Sequence, residues 1–173
     1  ISKLIIDIPE LTAREDHRGV VMATVVCVRI GEEAFGTNAG FGQLMLTIRA
    51  EFESELDALD AEICARAHAY ARQDGITNVE VQYRDSFPET RNTPDAVAAV
   101  RKARLECGLP EARWDEPFRS SEDFGCYTKL TSGALFYIGC GTRHAKLHTR
   151  EYDFNDEIIE PAVDMMFRLA QDA

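Results

Sequence analysis

Apolar residues recur near the start of the chain at Leu4, Ile5, Ile8 and Leu11. That spacing predicts a helix with one apolar stripe over residues 2–14, interrupted at Pro9, whose missing N–H removes a helical bond. After a polar turn the pattern changes. Val20, Val21, Thr24, Val25, Val26 and Val28 crowd β-branched side chains into residues 20–30 and predict a strand. Gly31, Gly36, Gly40, Gly42 and Asn38 mark a loop. From Gln43 to Phe52, Leu44, Leu46 and Ile48 alternate with Gln43, Met45, Thr47 and Arg49, so a second strand with one buried face is expected. Ser54 is placed to cap a helix reaching about Asp74, with Leu56, Leu59, Ile63, Ala67 and Tyr70 on one side. Gly75 is placed to stop it. Val79, Val81 and Tyr83 alternate over residues 78–84 and predict a third strand.

The order helix, strand, strand, helix, strand is that of a ferredoxin-like layer without its first strand, an α+β arrangement with helices on one face of an antiparallel sheet. Phe87-Pro88 and Asn92-Thr93-Pro94 punctuate the chain and set the expected boundary between residues 1–86 and 87–173. Thr93 is placed to cap a helix to about Cys107, with Val97, Val100 and Leu105 inward and Gly108-Leu109-Pro110 as its end. A short helix is expected over residues 121–130. The apolar run Ala134-Leu135-Phe136-Tyr137-Ile138 is short enough for a buried strand. A loop bearing Gly and His follows, and Asn155 or Asp156 opens a final helix through Leu169. The second half thus reads as α/β.

Charge narrows the partners. The 173 residues carry a net charge of −11, with a pI near 4.8. Nucleic acid and anionic membranes both demand clustered Lys and Arg, so neither is an expected partner. No apolar run approaches the roughly 20 residues that span a bilayer. Cys27, Cys64, Cys107, Cys126 and Cys140 are odd in number, widely spaced and without a C-x-x-C pair. They read as reduced, mostly buried thiols of a cytoplasmic protein. Ile1 is not Met, and the first residues read as the middle of a helix, as in a fragment.

Candidate chemistry gathers late in the chain. Ser121-Glu122-Asp123-Phe124 precedes the apolar run; Gly139-Cys140-Gly141, Leu147-His148-Thr149 and Glu151-Tyr152-Asp153-Phe154-Asn155-Asp156-Glu157 follow it. A loop leaving a buried strand is where open α/β sheets place ligands. A neutral imidazole at His148 suits a transition metal. A loop histidine is also ordinary surface. His144 lies four residues away, a spacing that matters for metal mainly on a helix. Glu122 and Asp123 suit a helix start. Gly139 and Gly141 serve either a tight turn or a close approach of substrate to backbone.

This ordered run, S-E-D-F, strand, G-x-G, then L-H-T-x-E-Y-D-F-N-D-E, resembles the end of the M20 metallopeptidases, most of all their aminoacylase and amidohydrolase branch. The resemblance implies a zinc-peptidase-like catalytic domain in the second half and a lid or dimerisation domain in the first. It implies that His148 is a metal ligand, for zinc first and manganese or cobalt as alternatives. It further implies that Asn38 binds the substrate's carbonyl oxygen and Arg49 its carboxylate, with Gly141 also at the substrate. The readings independent of that resemblance are a turn residue for Asn38 and a cross-strand ion pair for Arg49. The implied activity is hydrolysis of the amide bond of an N-acyl amino acid, small peptide or related conjugate, by a homodimer joined through the lid. One imidazole cannot hold a catalytic ion, since such zinc sites use about three protein ligands. The chain alone is therefore expected to be inactive. The competing reading is a non-catalytic ferredoxin-like module for dimerisation or small-ligand binding.

Overall fold

The structure, a computed structural model, describes residues 1–112, 114 and 116–171. The chain forms two compact units, residues 1–89 with 117–119 and residues 90–116 with 120–173.

In the first unit the order is α1 (Ser2–Thr12), β1 (Val21–Ile30), β2 (Gly42–Ala50) and α2 (Glu53–Gln73). Helix α1 runs through Pro9 and buries Leu4, Ile8 and Leu11, as its stripe predicts. Strands β1 and β2 pair antiparallel, with Val21 opposite Ala50 and Ile30 opposite Gly42. A register shift between Val25 and Cys27 leaves Val26 as an extra residue, the mark of a bulge that sharpens local twist. Leu4, Leu11, Val21, Leu59 and Ile63 form the core, and Ala23, Leu44, Leu46, Ile48 and Ala50 pack on it from the sheet. The alternation along β2 therefore turns Leu44, Leu46 and Ile48 to the helices and sends Arg49 to the opposite face.

Both helix ends marked by glycine close in the same way. Gly75 has φ +71, Ile76 N–H donates to Ala71 C=O at 2.8 Å and Gly75 N–H to Arg72 C=O at 3.4 Å. Gly108 has φ +66, with Leu109 N–H on Arg104 C=O at 3.1 Å and Gly108 N–H on Leu105 C=O at 3.0 Å. These are Schellman closures, which need a residue tolerant of positive φ.

Two expectations fail in this unit and a third fails across the chain. Residues 78–84 join no ladder, so the sheet among the described residues has two strands. Alternation makes a strand only where a neighbour offers a line of N–H and C=O groups. Ser54 does not cap α2: the N-cap position is Phe52, with no side-chain cap bond, and Ser54 Oγ instead accepts from Arg18 at 2.7 Å. None of the five cysteines is fully buried; Cys126 is exposed and the other four are half-buried, all free.

The second unit holds α3 (Pro94–Glu106), a one-turn helix α4 (Gly125–Thr128), a 3-10 turn (Asp156–Ile158) and α5 (Ile159–Gln171). Thr93 occupies the N-cap position of α3 but makes no cap bond to the helix backbone. Its hydroxyl meets Ser132 Oγ at 2.6 Å and accepts from Gly133 N–H at 3.2 Å. The run 133–138 is no strand. Its Gly133 C=O accepts from Thr93 N–H at 2.9 Å, and Leu135 is held by Asn92, whose Oδ1 accepts from Leu135 N–H at 2.8 Å and whose Nδ2 donates to Leu135 C=O at 2.9 Å. One backbone bond and one side chain that imitates a rung do not make a ladder. The α/β expectation for this half therefore fails at the strands among the described residues, while the chain as a whole is mixed α/β.

Burial is also thinner than composition predicts. The chain exposes 13584 Å², whereas two separate compact halves of a 19.4 kDa chain would expose about 10,000 Å². Roughly half of the unfolded surface is removed from water, in place of the expected two thirds. No described helix is long and apolar enough to cross a membrane.

Candidate functional site

Two loops carry the predicted site residues. The first joins β1 to β2 and is closed by Gly31 N–H on Phe41 C=O at 2.8 Å. Its tip is solvent-exposed, Asn38 included. Asn38 has no positive φ, the backbone strain in this loop falling on Gly31 and Gly36. Its reading as a left-handed turn residue is therefore not realised. Arg49 lies near the far end of β2, opposite Met22. Its Nη1 donates to Arg119 C=O at 2.7 Å. Seven strand steps lead from Gly42 to Arg49, about 23 Å at 3.3 Å per residue. Asn38 is on the loop that joins the two strands and Arg49 is near the other end of β2.

The second loop, residues 139–155, belongs to the second unit. Asn155 fixes its ends: its Nδ2 donates to Cys140 C=O at 3.2 Å and its Oδ1 accepts from Glu157 N–H at 3.1 Å. The first bond ties the G-x-G segment to the start of the final helical region, and the second caps the 3-10 turn, as the sequence leads one to expect. Gly141 has φ +96, and a Cβ there would meet nothing within 4 Å. Its glycine answers to backbone conformation and leaves an open surface.

His148 is the backbone outlier of this loop. Lys146 C=O accepts from Thr149 N–H at 3.2 Å and from Thr149 Oγ1 at 2.7 Å. His148 is therefore the third residue of a turn, with φ +66. That position favours Gly or Asn, and a ring-bearing residue there carries strain of about 1–3 kcal/mol. The side chain is exposed. The loop also holds a depression of about 360 Å³, with His144, Glu151, Asp153, Asp156 and Glu157 among its lining residues. His148 is not among its lining residues. His144 Nδ1 lies 2.8 Å from Ala145 C=O. Among the described residues no three His, Cys, Asp or Glu side chains gather closely enough to hold a metal ion. The donor set present, a single strained imidazole, does not by itself fit a catalytic ion.

Sequence reasoning missed a further cluster in the first unit. His17 reads as a plain turn residue. Its ring is instead half-buried, with Nε2 2.9 Å from Leu11 C=O and Nδ1 3.8 Å from Glu55 Oε1. Glu55 is buried in the first turn of α2. A carboxylate inside an apolar helix stripe was the available signal.

Comparison with known proteins places this geometry in a family. The model of the peptidase family M20/M25/M40 matches residues 8–172, so the chain belongs to that family. An uncharacterized hydrolase from Staphylococcus haemolyticus is 27% identical over 133 residues, covering 73% of this chain and 34% of that protein. A crystal structure from methicillin-resistant Staphylococcus aureus, provisionally described as an aminohydrolase, superposes with a TM-score of 0.80. It has 18% identity, and the match covers 99% of this chain and 45% of that one. The likeness to that structure is one of fold. The chain spans about a third of the curated relative and under half of the solved structure.

Proposed function

We propose that the chain is part of a metal-dependent amidohydrolase acting on an N-acyl amino acid, a small peptide or a related conjugate. The observation that carries this reading is the family match across residues 8–172, a span that includes His148. Strain at His148 supports it, because a histidine held at positive φ needs a reason beyond the turn itself. The two similar proteins are described as hydrolase and aminohydrolase, in keeping with the proposal.

When bound, a divalent ion, zinc first and manganese or cobalt after it, would supply Lewis acidity and an acidified water. His148 would hold the ion through a neutral ring nitrogen. Asn38 would donate its amide to the substrate's carbonyl oxygen, and Arg49 would grip the carboxylate through two parallel bonds. Gly141 would let substrate lie against bare backbone. The placement of Asn38 and Arg49 toward opposite ends of β2 favours a homodimer in which the two come from different copies. Val26, Val28 and Ile30 are exposed along β1, an apolar edge of the kind that pairs with another strand. A ferredoxin-like lid would be completed by a further strand beside residues 78–84. The surplus of about 3,000 Å² of surface is of the size that large obligate interfaces bury.

The test is turnover. The longer enzyme, loaded with zinc, manganese or cobalt, should hydrolyse N-acyl amino acids. His148→Ala should lower the rate by more than about 100-fold, beyond the loss typical of outer ligand partners. The 173-residue chain alone should show no turnover with any of the three ions. Unchanged rates in His148→Ala would overturn the assignment. The competing reading, a non-catalytic binding module, requires amino-acid binding by calorimetry that chelator leaves untouched.

A further inference from the structure

The cluster around Glu55 lies outside the loops just described and has no role in them. Glu55 is 9% exposed. Its Oε1 accepts from Arg18 N–H at 2.6 Å, while Oε2 is buried with no partner. A buried carboxylate oxygen without a donor is costly, so such groups are normally paired. The neighbouring imidazole does not fill the gap. A carbonyl oxygen only accepts, so the contact of His17 Nε2 with Leu11 C=O places a hydrogen on Nε2. In the neutral ring Nδ1 is then an acceptor, and it faces Glu55 Oε1 at 3.8 Å, too far for a direct bond. Glu55 Oε2 and His17 Nδ1 are thus acceptors on neighbouring side chains that a donor between them could serve.

Both residues line a depression of about 250 Å³. Its other charged groups are already engaged. Arg14 holds Asp16 through two bonds of 3.0 and 2.6 Å. Glu62 accepts from Arg66 at 2.9 Å. The Arg18 guanidinium bonds Ser54 and lies 4.7 Å over the Phe52 ring. Leu11, Ala58 and Leu59 supply apolar wall. Three lining carboxylates against two guanidiniums leave the depression negative. A transition metal would need about three protein donors, and here two are vacant.

We propose that this depression binds a small primary alkylammonium ion, its N–H groups shared between Glu55 and His17 Nδ1 and its alkyl chain against Leu11, Ala58 and Leu59. The site stands on the first unit alone and does not depend on the metal reading. Propylammonium chloride is the probe, titrated into the isotopically labelled chain and followed by NMR at the Arg18 amide and the His17 ring. Tetramethylammonium chloride, which has no N–H, and sodium chloride are matched for ionic strength. Propylammonium should give a saturable shift at both reporters, and the other two salts should not. Glu55→Gln keeps the shape and should weaken binding at least about tenfold, the size of one bond to a charged group. Equal responses to all three salts, no saturation with propylammonium, or undiminished binding in Glu55→Gln would each overturn the proposal. If Glu55→Gln fails to fold, the comparison of salts on the unsubstituted chain still decides.

Discussion

The two units make unequal use of the same composition. The first, with two helices on one face of a hairpin, closes a core from α1, β1 and α2. The second buries Ala103 and Met165 but leaves Ile159, Val163, Met166 and Phe167 of α5 exposed. Those four positions form a helical stripe, so α5 is amphipathic without a cover for its whole apolar side. The predicted substrate residues Asn38 and Arg49 sit on the unit with its own core, and the predicted metal ligand sits on the other. A self-packed layer can position side chains unaided. A loop on a thinly packed unit depends on what covers it.

The sharpest way to break this comparison is paired substitution. Leu59→Ala, at 4% exposure in the first core, should cost about 2–5 kcal/mol in urea unfolding followed by circular dichroism. Phe167→Ser, at 60% exposure on α5, should stay within about 0.5 kcal/mol in this chain. A large loss from Phe167→Ser would mean that the second unit has a core of its own. In the longer enzyme the same change should become costly once the stripe is covered.

Backbone chemistry should treat the units alike. Gly75→Ala and Gly108→Ala each force a Cβ into the left-handed region, at φ +71 and +66. Each should cost about 1–2 kcal/mol in the same melt. His148→Gly reverses that physics and should stabilise the chain by about 0.5–1 kcal/mol, after the entropic penalty of glycine, while ion binding is lost in the longer enzyme. Stability unchanged or lowered would remove strain as support for a functional histidine.

The smallest effect is in acid. Asp7 in the first unit is held below the ordinary carboxylate range by the Tyr70 hydroxyl and then by Arg66. Asp95 in the second is lowered to about 2, chiefly by the Ser132 hydroxyl and then Thr93. Both pKa values are depressed on folding. Their contributions are thus complete above the unfolded value of 3.8 and are lost as pH falls through the folded ones, for Asp95 near 2. Asp95→Asn and Asp7→Asn should each flatten the acid limb of stability measured between about pH 5 and pH 2. A limb unchanged in both would show that other carboxylates govern acid unfolding.

Local periodicity and end signals were enough to determine α1, both strands of the hairpin, α2, α3 and the last helix, because each records its own period of 3.6 or 2 and its own stop. Gly75 and Gly108 could be read because only glycine enters the left-handed region cheaply. The late motif likewise revealed the family. Tertiary structure decided what depends on a second partner. Residues 78–84 and 133–138 alternate or run apolar as strands do, yet a strand exists only when another chain segment meets its N–H and C=O groups. Ser54 and Thr93 look like caps, but their hydroxyls go to Arg18 and to Ser132 with Gly133. The burial of Glu55 against His17 and the strained turn at His148 came from long-range packing and turn geometry, which no residue spacing encodes.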